Sequence, residues 1–234
     1  MNAPTPKQVL IHSGPFVNEL SGRLRRAVAG EVRFDRGTRG RYSTDASIYQ
    51  IEPVGVLIPK SVDDVRAAIA ICRELQVPLL PRGAGTSQCG QTVGAALVID
   101  NSKYLNKVLA FDKDAMSVTV EPGIVLDHLN AWLKPHGVWF PVDVSSAAQC
   151  TIGGMAGNNS CGSRSIAYGN MVHNVLALDA ILADGSEAHF TAEGDMLAQH
   201  AAGTRIGDLV RGLRMRHFPH PRGGRTRCAT KDAR

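Results

Sequence analysis

A glycine-rich segment at residues 81–90, PRGAGTSQCG, directly follows the apolar run VPLL at 77–80. Glycines allow the backbone to adopt positive φ angles and to approach a ligand closely, and successive backbone N–H groups can surround a phosphate. Thr86 and Ser87 add hydroxyl donors, whereas Arg82 could either contribute positive charge or form a salt bridge elsewhere. An ordinary turn between two strands explains this segment, taken alone, about as well as a binding loop does.

Two common nucleotide-binding motifs do not match this segment. The dinucleotide fingerprint requires G-x-G-x-x-G at the start of a helix, but Gln88 occupies the third glycine position. The following residues, QTVGAALVID, have the pattern of a strand. A P-loop requires Gly-Lys-Ser or Gly-Lys-Thr, and the chain contains neither. The segment is therefore predicted to be a loop between two strands whose N–H groups face one concave surface.

A second segment, residues 145–170, is rich in glycine, asparagine and small side chains. Such a composition would let a large flat ligand lie against the backbone. Thr151 is predicted to cap a short helix directed at the ligand, and Gly153 and Gly154 would permit close approach. Asn158 and Asn159 offer amide groups to a heterocycle. Because one glycine-rich surface loop is rarely matched by another, the pair favours a ligand site.

The elements that would position these segments follow helix and strand periodicities in an α+β order. Ser61 is predicted to cap a helix, with Asp64 as its partner, inside a β-α-β unit that leads into the first loop. A strand pair over 174–190 is predicted to turn at Asp184-Gly185. The remaining predicted elements are helices at 16–28 and 125–137 and strands at 54–58, 77–81, 94–100, 116–123 and 138–143.

The net charge of +5 belongs to the end of the chain. Residues 215–234 contain five Arg and one Lys against one Asp, so the preceding 214 residues are neutral overall. Charge therefore gives no support for nucleic-acid binding by the folded part. The abrupt change at 214/215 predicts a basic, disordered tail. A shifted reading frame would produce the same change, and the other two frames of the coding DNA would test that hypothesis.

Localisation is predicted from the cysteines and from the apolar runs. Five cysteines without a C-x-x-C pair favour reduced thiols in a cytoplasmic protein. The N-terminal residues lack the apolar core of a signal peptide. No apolar run approaches the roughly 20 residues of a membrane span, so none is expected.

The motifs PRGAGTS, VEPG, CTIGGMAGNNSCG and AYGN occur in that order along the chain. In order and spacing they resemble the FAD-binding domain of the vanillyl-alcohol oxidase/p-cresol methylhydroxylase superfamily, particularly its glycolate oxidase and D-lactate dehydrogenase branch. The resemblance covers residues 40–214 and implies two α/β lobes with FAD between them. It leaves 1–39 as a lead-in with a helix and 215–234 as the tail. Residues 42–65 are similar to members that continue into an iron–sulfur module.

The resemblance also implies which residues contact the flavin. Covalently bound members use a histidine just after the paired glycines, and Thr86 occupies that position here, so FAD is expected to be non-covalent. Pro122 and Gly123 would border the cofactor. The pyrophosphate loop, which binds through backbone N–H groups, would be Arg82, Gly83, Ala84, Gly85, Thr86 and Ser87. The isoalloxazine and ribityl region would be lined by Ser146, Cys150, Thr151, Gly153, Gly154, Asn158 and Gly162.

Similar enzymes oxidise D-2-hydroxy acids of the lactate, glycolate or 2-hydroxyglutarate type and pass electrons to an external acceptor. Their substrate-binding arginine and histidine usually come from a cap domain, before which this chain is expected to be truncated. No catalytic residue is therefore assigned, and His173 is interpreted as structural or solvated. Cys150 and Cys161 are not expected to bind metal. Two alternatives remain open: an inactive flavin-binding fragment, and the FAD domain of a cell-wall enolpyruvyl-sugar reductase.

Overall fold

The computed structural model describes residues 14–191 and 209–220. The helices are α1 (Gly14–Ala27), α2 (Arg36–Tyr42), α3 (Val62–Glu74), α4 (Leu126–Leu133), α5 (Ile152–Gly157), α6 (Ser165–Tyr168) and α7 (Met171–Asn174), with a 3-10 turn at Lys134–His136. The strands are β1 (Glu31–Arg33), β2 (Gly55–Ile58), β3 (Leu79–Arg82), β4 (Leu97–Asp100), β5 (Val108–Asp112), β6 (Ser117–Val120), β7 (Val138–Trp139), β8 (Val175–Ile181), β9 (Glu187–Thr191), β10 (Leu209–Arg216) and β11 (Phe218–Pro219).

The first lobe is built on a four-stranded sheet in the order β1-β2-β4-β3. Strands β2, β4 and β3 are parallel, and β1 is antiparallel to β2. All four residues of β2 and of β4 are buried, as expected for parallel strands covered on both faces. Ser61 directly precedes α3, and its hydroxyl accepts from the Asp64 N–H, so the predicted cap is confirmed. Helices α1 and α3 pack against each other beside this sheet, around Leu20, Leu24, Ile69 and Leu97.

The second lobe is built on a five-stranded antiparallel sheet in the order β5-β6-β10-β8-β9. Its core contains Leu129 of α4, Ile152 and Met155 of α5, and Phe140 after β7. The hairpin of β8 and β9 turns at Asp184-Gly185, as predicted, with Gly185 at a φ of +84°. The two lobes are linked where Ile181 of β8 enters the core of the first lobe.

The structure differs from the sequence-based boundary at 214/215. That boundary falls inside β10, where Met215 pairs with Val118 and lies fully buried. Leu213 and Met215 face the core while Arg214 and Arg216 are exposed, a period-two pattern that the charge count obscured. Residues 215–220 therefore belong to the described fold, and the rest of the predicted tail, 221–234, lies outside the described residues.

A second observation concerns residues 36–42, whose sequence lacks an apolar period. They form α2, whose N-terminus is capped by Asp35: its carboxylate accepts from the Thr38 N–H at 2.8 Å. The cap and the packing of α2 beside β2 stabilise the helix in place of an amphipathic pattern. Within the described ranges, no helix has the length and apolar character needed to cross a bilayer.

Candidate functional site

The first glycine-rich loop, residues 83–96, connects β3 to β4, which lie side by side and parallel. Such a connection must return along the sheet, so the loop begins at the edge where both strands end. There the Asn101 N–H donates to the Arg82 carbonyl over 3.2 Å. Ligands of open α/β sheets bind at this carboxyl edge of the strands. The predicted loop between two strands is thus confirmed, and it begins at the carboxyl edge of β3 and β4.

Arg82 turns its side chain toward protein carbonyl groups. Nη1 donates to the carbonyl oxygens of Tyr42 and Thr92 at 3.3 and 3.0 Å, and Nη2 donates to that of Thr44 at 2.8 Å. The guanidinium also lies 5.1 Å from the centroid of the Tyr42 ring. Burial lowers the pKa of Arg82. The side chain therefore holds the loop against residues 42–44.

Residues 42–49 form a strap along the first loop. The Ala46 N–H donates to the Gly85 carbonyl at 3.1 Å, and the Thr92 hydroxyl donates to the Asp45 carboxylate at 3.0 Å. Gly85 and Gly90 have φ angles of +70° and +76°, which side chains other than glycine rarely adopt. A Cβ on Gly90 would also lie 2.5 Å from the Tyr49 ring. The loop conformation and the strap thus require each other.

The two glycine-rich segments meet at Gly83 and Thr151. A Cβ on Gly83 would overlap the Thr151 hydroxyl oxygen and lie 3.3 Å from the Thr151 Cβ. That hydroxyl is the predicted cap of α5, accepting from the Gly154 N–H at 3.3 Å. The first loop therefore rests on the start of α5, and the lack of a side chain at Gly83 is what permits this contact. The two glycine-rich segments are therefore in contact in the fold.

Pro122 and Gly123 lie next to the contact of Gly83 with Thr151, and together these four residues form a junction between the lobes that we call the seam. The Gly153 N–H donates to the Pro122 carbonyl at 2.8 Å, and a Cβ on Gly153 would lie 2.7 Å from the Pro122 Cβ. A Cβ on Gly123 would overlap the carbonyl oxygen of Asn101, the residue after β4. Backbone segments from both lobes therefore approach each other within van der Waals contact along this seam.

The other predicted residues divide between the seam and its surroundings. Ala84, Gly154 and Asn158 are exposed, while Thr86 and Ser87 are half-buried. Cys150 is packed in the core of the second lobe, and burial raises its pKa. The Ser146 carbonyl accepts from the Cys150 N–H at 2.8 Å, so these two residues shape the turn before α5. Gly162 lies against the Asp143 backbone, where a Cβ would overlap the carbonyl oxygen.

Gln91 and Asn101 are further candidate site residues, and the sequence analysis did not single them out. Gln91 bridges the segments, because its Nε2 donates to Oδ1 of Asn158 at 3.1 Å while its Oε1 accepts from the Ser87 hydroxyl. Oδ1 of Asn101 is buried without a hydrogen-bond partner in the described part of the chain. No local pattern marks either residue, since both act through contacts between distant segments.

The seam fits a dinucleotide such as FAD. The Asn101 Oδ1 is a buried amide oxygen without a partner in the described part of the chain, and it lies beside the backbone-lined junction of the lobes. A buried acceptor of this kind requires a hydrogen-bond donor, which a bound ligand would supply. Exposed Ala84, Gly154 and Gly157 leave the backbone uncovered by large side chains. His173, by contrast, uses Nδ1 to accept from the Asn170 N–H at 3.1 Å and so caps α7. That contact supports the structural interpretation of His173.

Comparison with known proteins identifies the family. The model of a family described as "FAD binding domain" matches residues 53–191. The chain belongs to this FAD-binding domain family. The match includes both glycine-rich segments, and the description of the family names FAD as the ligand.

Three curated relatives are similar over most of the chain. D-2-hydroxyglutarate dehydrogenase of Pseudomonas putida is 35% identical over 78% of this chain and 19% of its own length. The probable mitochondrial D-lactate dehydrogenase of Danio rerio is 34% identical over 80% of this chain and 38% of its own length. Glycolate oxidase subunit GlcD of Bacillus subtilis is 36% identical over 75% and 38%. The chain thus spans about a fifth to two fifths of the length of these relatives.

Solved structures support the fold. An alkyldihydroxyacetonephosphate synthase matches 94% of this chain and 42% of its own, with a TM-score of 0.74 and 20% identity. A BBE-like 1 variant of Physcomitrella patens matches 85% and 44%, with a TM-score of 0.73 and 19% identity. The α+β fold of two lobes expected from the resemblance is therefore confirmed.

Proposed function

We propose that this chain is the FAD-binding portion of an oxidoreductase that oxidises a D-2-hydroxy acid and passes the electrons to an external acceptor. The observation that carries the proposal is the contact of Gly83 with Thr151, which joins both glycine-rich segments in one seam. The hydroxy-acid class is supported by the names of the relatives, which refer to 2-hydroxyglutarate, lactate and glycolate. Those names favour this class over the enolpyruvyl-sugar reductase alternative.

The proposed roles in the seam are binding roles. Backbone N–H groups of residues 83–87 would hold the pyrophosphate, with the Thr86 and Ser87 hydroxyls as further donors. Pro122 and Gly123 would border the cofactor, and Gly153 and Gly154 would lie along its isoalloxazine and ribityl groups. When bound, FAD supplies the acceptor for the hydride equivalent lost by the hydroxy acid. We assign no catalytic residue to the described ranges, and an iron–sulfur module is one candidate for the electron acceptor.

Two further properties belong to the proposal. Thr86 has no imidazole nitrogen for attachment to the flavin, so the cofactor would be held without a covalent bond. Cys72, Cys89, Cys150 and Cys161 are free thiols, and reduced cysteines favour a cytoplasmic location.

The first experiment is an absorbance spectrum of the purified chain over about 300–550 nm, before and after denaturation. We expect flavin bands that leave the protein on unfolding and that return when FAD is added to refolded apoprotein. A colourless chain that is folded by circular dichroism yet takes up no added FAD would contradict cofactor binding. Gly40→Ala should give the same spectra as the parent chain, because a Cβ on Gly40 meets no atom within 4 Å.

The catalytic part of the proposal needs a separate measurement. The FAD-loaded chain is mixed with D-lactate or D-2-hydroxyglutarate and an artificial electron-accepting dye. Bleaching of the flavin and reduction of the dye would support the oxidoreductase function. Bound flavin that neither acid reduces would favour the inactive-fragment alternative while leaving FAD binding intact.

A further inference from the structure

A cavity of about 420 Å³ lies beside α4 in the second lobe. It is lined by α4 and the turn that follows it, by Trp139, by Asp143 and Ala147, by Arg164 and by His220. None of the residues assigned to the flavin lines this cavity. Its volume falls within the range of small-molecule sites. The cavity is therefore a candidate for a second ligand, separate from FAD.

Arg164 is held in a fixed orientation at this cavity. Its guanidinium lies 4.8 Å from the centroid of the Trp139 ring, and its Nε lies 3.5 Å from Oδ2 of Asp143. Asp143 is itself fixed, because it accepts from the Ser163 hydroxyl and from the Arg164 N–H, each at 2.9 Å. Within the described ranges, the terminal nitrogens Nη1 and Nη2 of Arg164 form no hydrogen bond or ion pair. A guanidinium fixed through its face and Nε retains the fork that binds a carboxylate.

The rest of the lining defines the charge and shape of the ligand. Lys134 is exposed at the cavity and forms no ion pair with the described residues. Asp127 adds one carboxylate, which would repel a second negative group on the ligand. Leu126, Ala131 and Ala147 provide apolar wall. Lys134 and the terminal nitrogens of Arg164 face one further carboxylate, Asp127, because Asp143 is already paired with the Nε of Arg164. Together with the apolar wall, this lining matches a ligand with one negative group and a short apolar part.

We propose that this cavity binds a small monocarboxylate with a short apolar chain, whose carboxylate is held by Arg164 and Lys134. The inference does not depend on the proposed function, because the cavity shares no lining residue with the flavin site. It can therefore be tested on the chain without FAD.

The test uses hexanoate as the probe and hexanamide as its neutral counterpart. The chain has two tryptophans, so Trp132→Phe leaves Trp139 as the sole reporter of intrinsic fluorescence. We expect a saturable change of emission with hexanoate and at least about tenfold weaker binding of hexanamide, since charge-assisted hydrogen bonds are lost. Saturation-transfer NMR on hexanoate gives a second readout that is independent of Trp139.

Variants at the cavity separate specific from general anion binding. Arg164→Gln is expected to raise the Kd for hexanoate at least about tenfold, and Lys134→Gln to raise it severalfold. Arg25→Gln is the matched control, because Arg25 is an exposed arginine in the last turn of α1. Its Kd should equal that of the parent. Lys134 is a surface residue, so its variant remains informative even where Arg164→Gln fails to fold.

Three results would overturn the proposal. These are the absence of saturable hexanoate binding, equal binding of hexanamide, and an unchanged Kd in both cavity variants. Competition by FAD for hexanoate would place the probe in the flavin site and would also overturn it. FAD binding is followed separately by its absorbance, so a failure of the proposed function is distinguishable from a failure of the cavity site.

Discussion

Replacement of Gly83 by alanine tests the contact that joins the two glycine-rich segments. The new Cβ would overlap the Thr151 hydroxyl oxygen and lie 3.3 Å from the Thr151 Cβ. Thr151 can relieve the overlap only by turning its hydroxyl away, which removes the α5 cap at a cost of about 1 kcal/mol. Residual overpacking adds about 1–2 kcal/mol. Gly83→Ala should therefore lower the free energy of unfolding by about 2–3 kcal/mol and weaken FAD binding at least about tenfold.

The physical cause can be isolated with a double-mutant cycle. Thr151→Ala alone loses the cap and should cost about 1 kcal/mol. In the double variant the overlapping oxygen is absent, so Gly83→Ala should add less than about 1 kcal/mol to that cost. Urea unfolding followed by circular dichroism should then give a coupling energy of about 1–2 kcal/mol.

Additive costs in this cycle would refute the reasoning, because they would mean that position 83 does not pack on the α5 cap. Gly40→Ala controls for the substitution itself. Gly40 lies inside α2 with no atom within 4 Å of a new Cβ, so alanine there should be neutral or stabilising by up to about 1 kcal/mol.

Three other substitutions or treatments have outcomes set by the described contacts. Arg82→Gln leaves the backbone carbonyl groups of Tyr42, Thr44 and Thr92 without their donor. We therefore expect the free energy of unfolding, measured with urea, to fall by about 2 kcal/mol. A stability equal to the parent's would mean that Arg82 does not hold the loop against residues 42–44. Hydrogen bonds from Lys103, Tyr104 and Arg33 lower the pKa of Glu31 to about 2 from its ordinary 4.5. The ionised Glu31 therefore stabilises the fold above about pH 4.5, and this stabilisation is lost as the pH falls toward 2; Glu31→Gln should remove about 1 kcal/mol of that pH dependence, allowing for solvent screening, in melting curves over this window. In a Cys228→Ser background, a thiol reagent at neutral pH should modify the exposed Cys89 and Cys161 in the folded chain. It should reach Cys72 and Cys150 only after unfolding, because burial raises the pKa of both thiols, that of Cys72 to about 12. The number of reactive thiols, counted by absorbance, should therefore rise from two to four on unfolding, and four in the folded chain would contradict the burial.

Local chemistry made several elements predictable from the sequence. Ser61 and Thr151 each directly precede a helix, and each hydroxyl accepts from the N–H three residues further along the chain. Both caps could therefore be predicted without a tertiary contact. The turn at Asp184-Gly185 needs only the positive φ that glycine tolerates. The buried residues Val56–Ile58 of β2 and Leu97–Ile99 of β4 are apolar because both faces of a parallel sheet are covered.

Elements set by tertiary contacts could not be predicted in the same way. Helix α2, with the sequence RGTRGRY, has no apolar face and is stabilised by its cap and by β2. Strand β10 alternates arginine with buried apolar residues, and its place between β6 and β8 depends on backbone pairing with both. Gln91 and Asn101 acquire their roles only when the two lobes meet.

The glycines of the two segments serve two different purposes. Gly83, Gly123, Gly153 and Gly162 each lie where a Cβ would come closer than 3.0 Å to another part of the chain, so contacts within the protein already require them. Gly154 and Gly157 are exposed, and a Cβ on Gly154 would meet only the Thr151 hydroxyl, at 3.1 Å. In the first set, Gly83 and Gly123 permit contacts between the lobes, and Gly153 and Gly162 permit contacts within the second lobe. The second set leaves the backbone uncovered. Contacts within the protein therefore require several of these glycines independently of a bound cofactor.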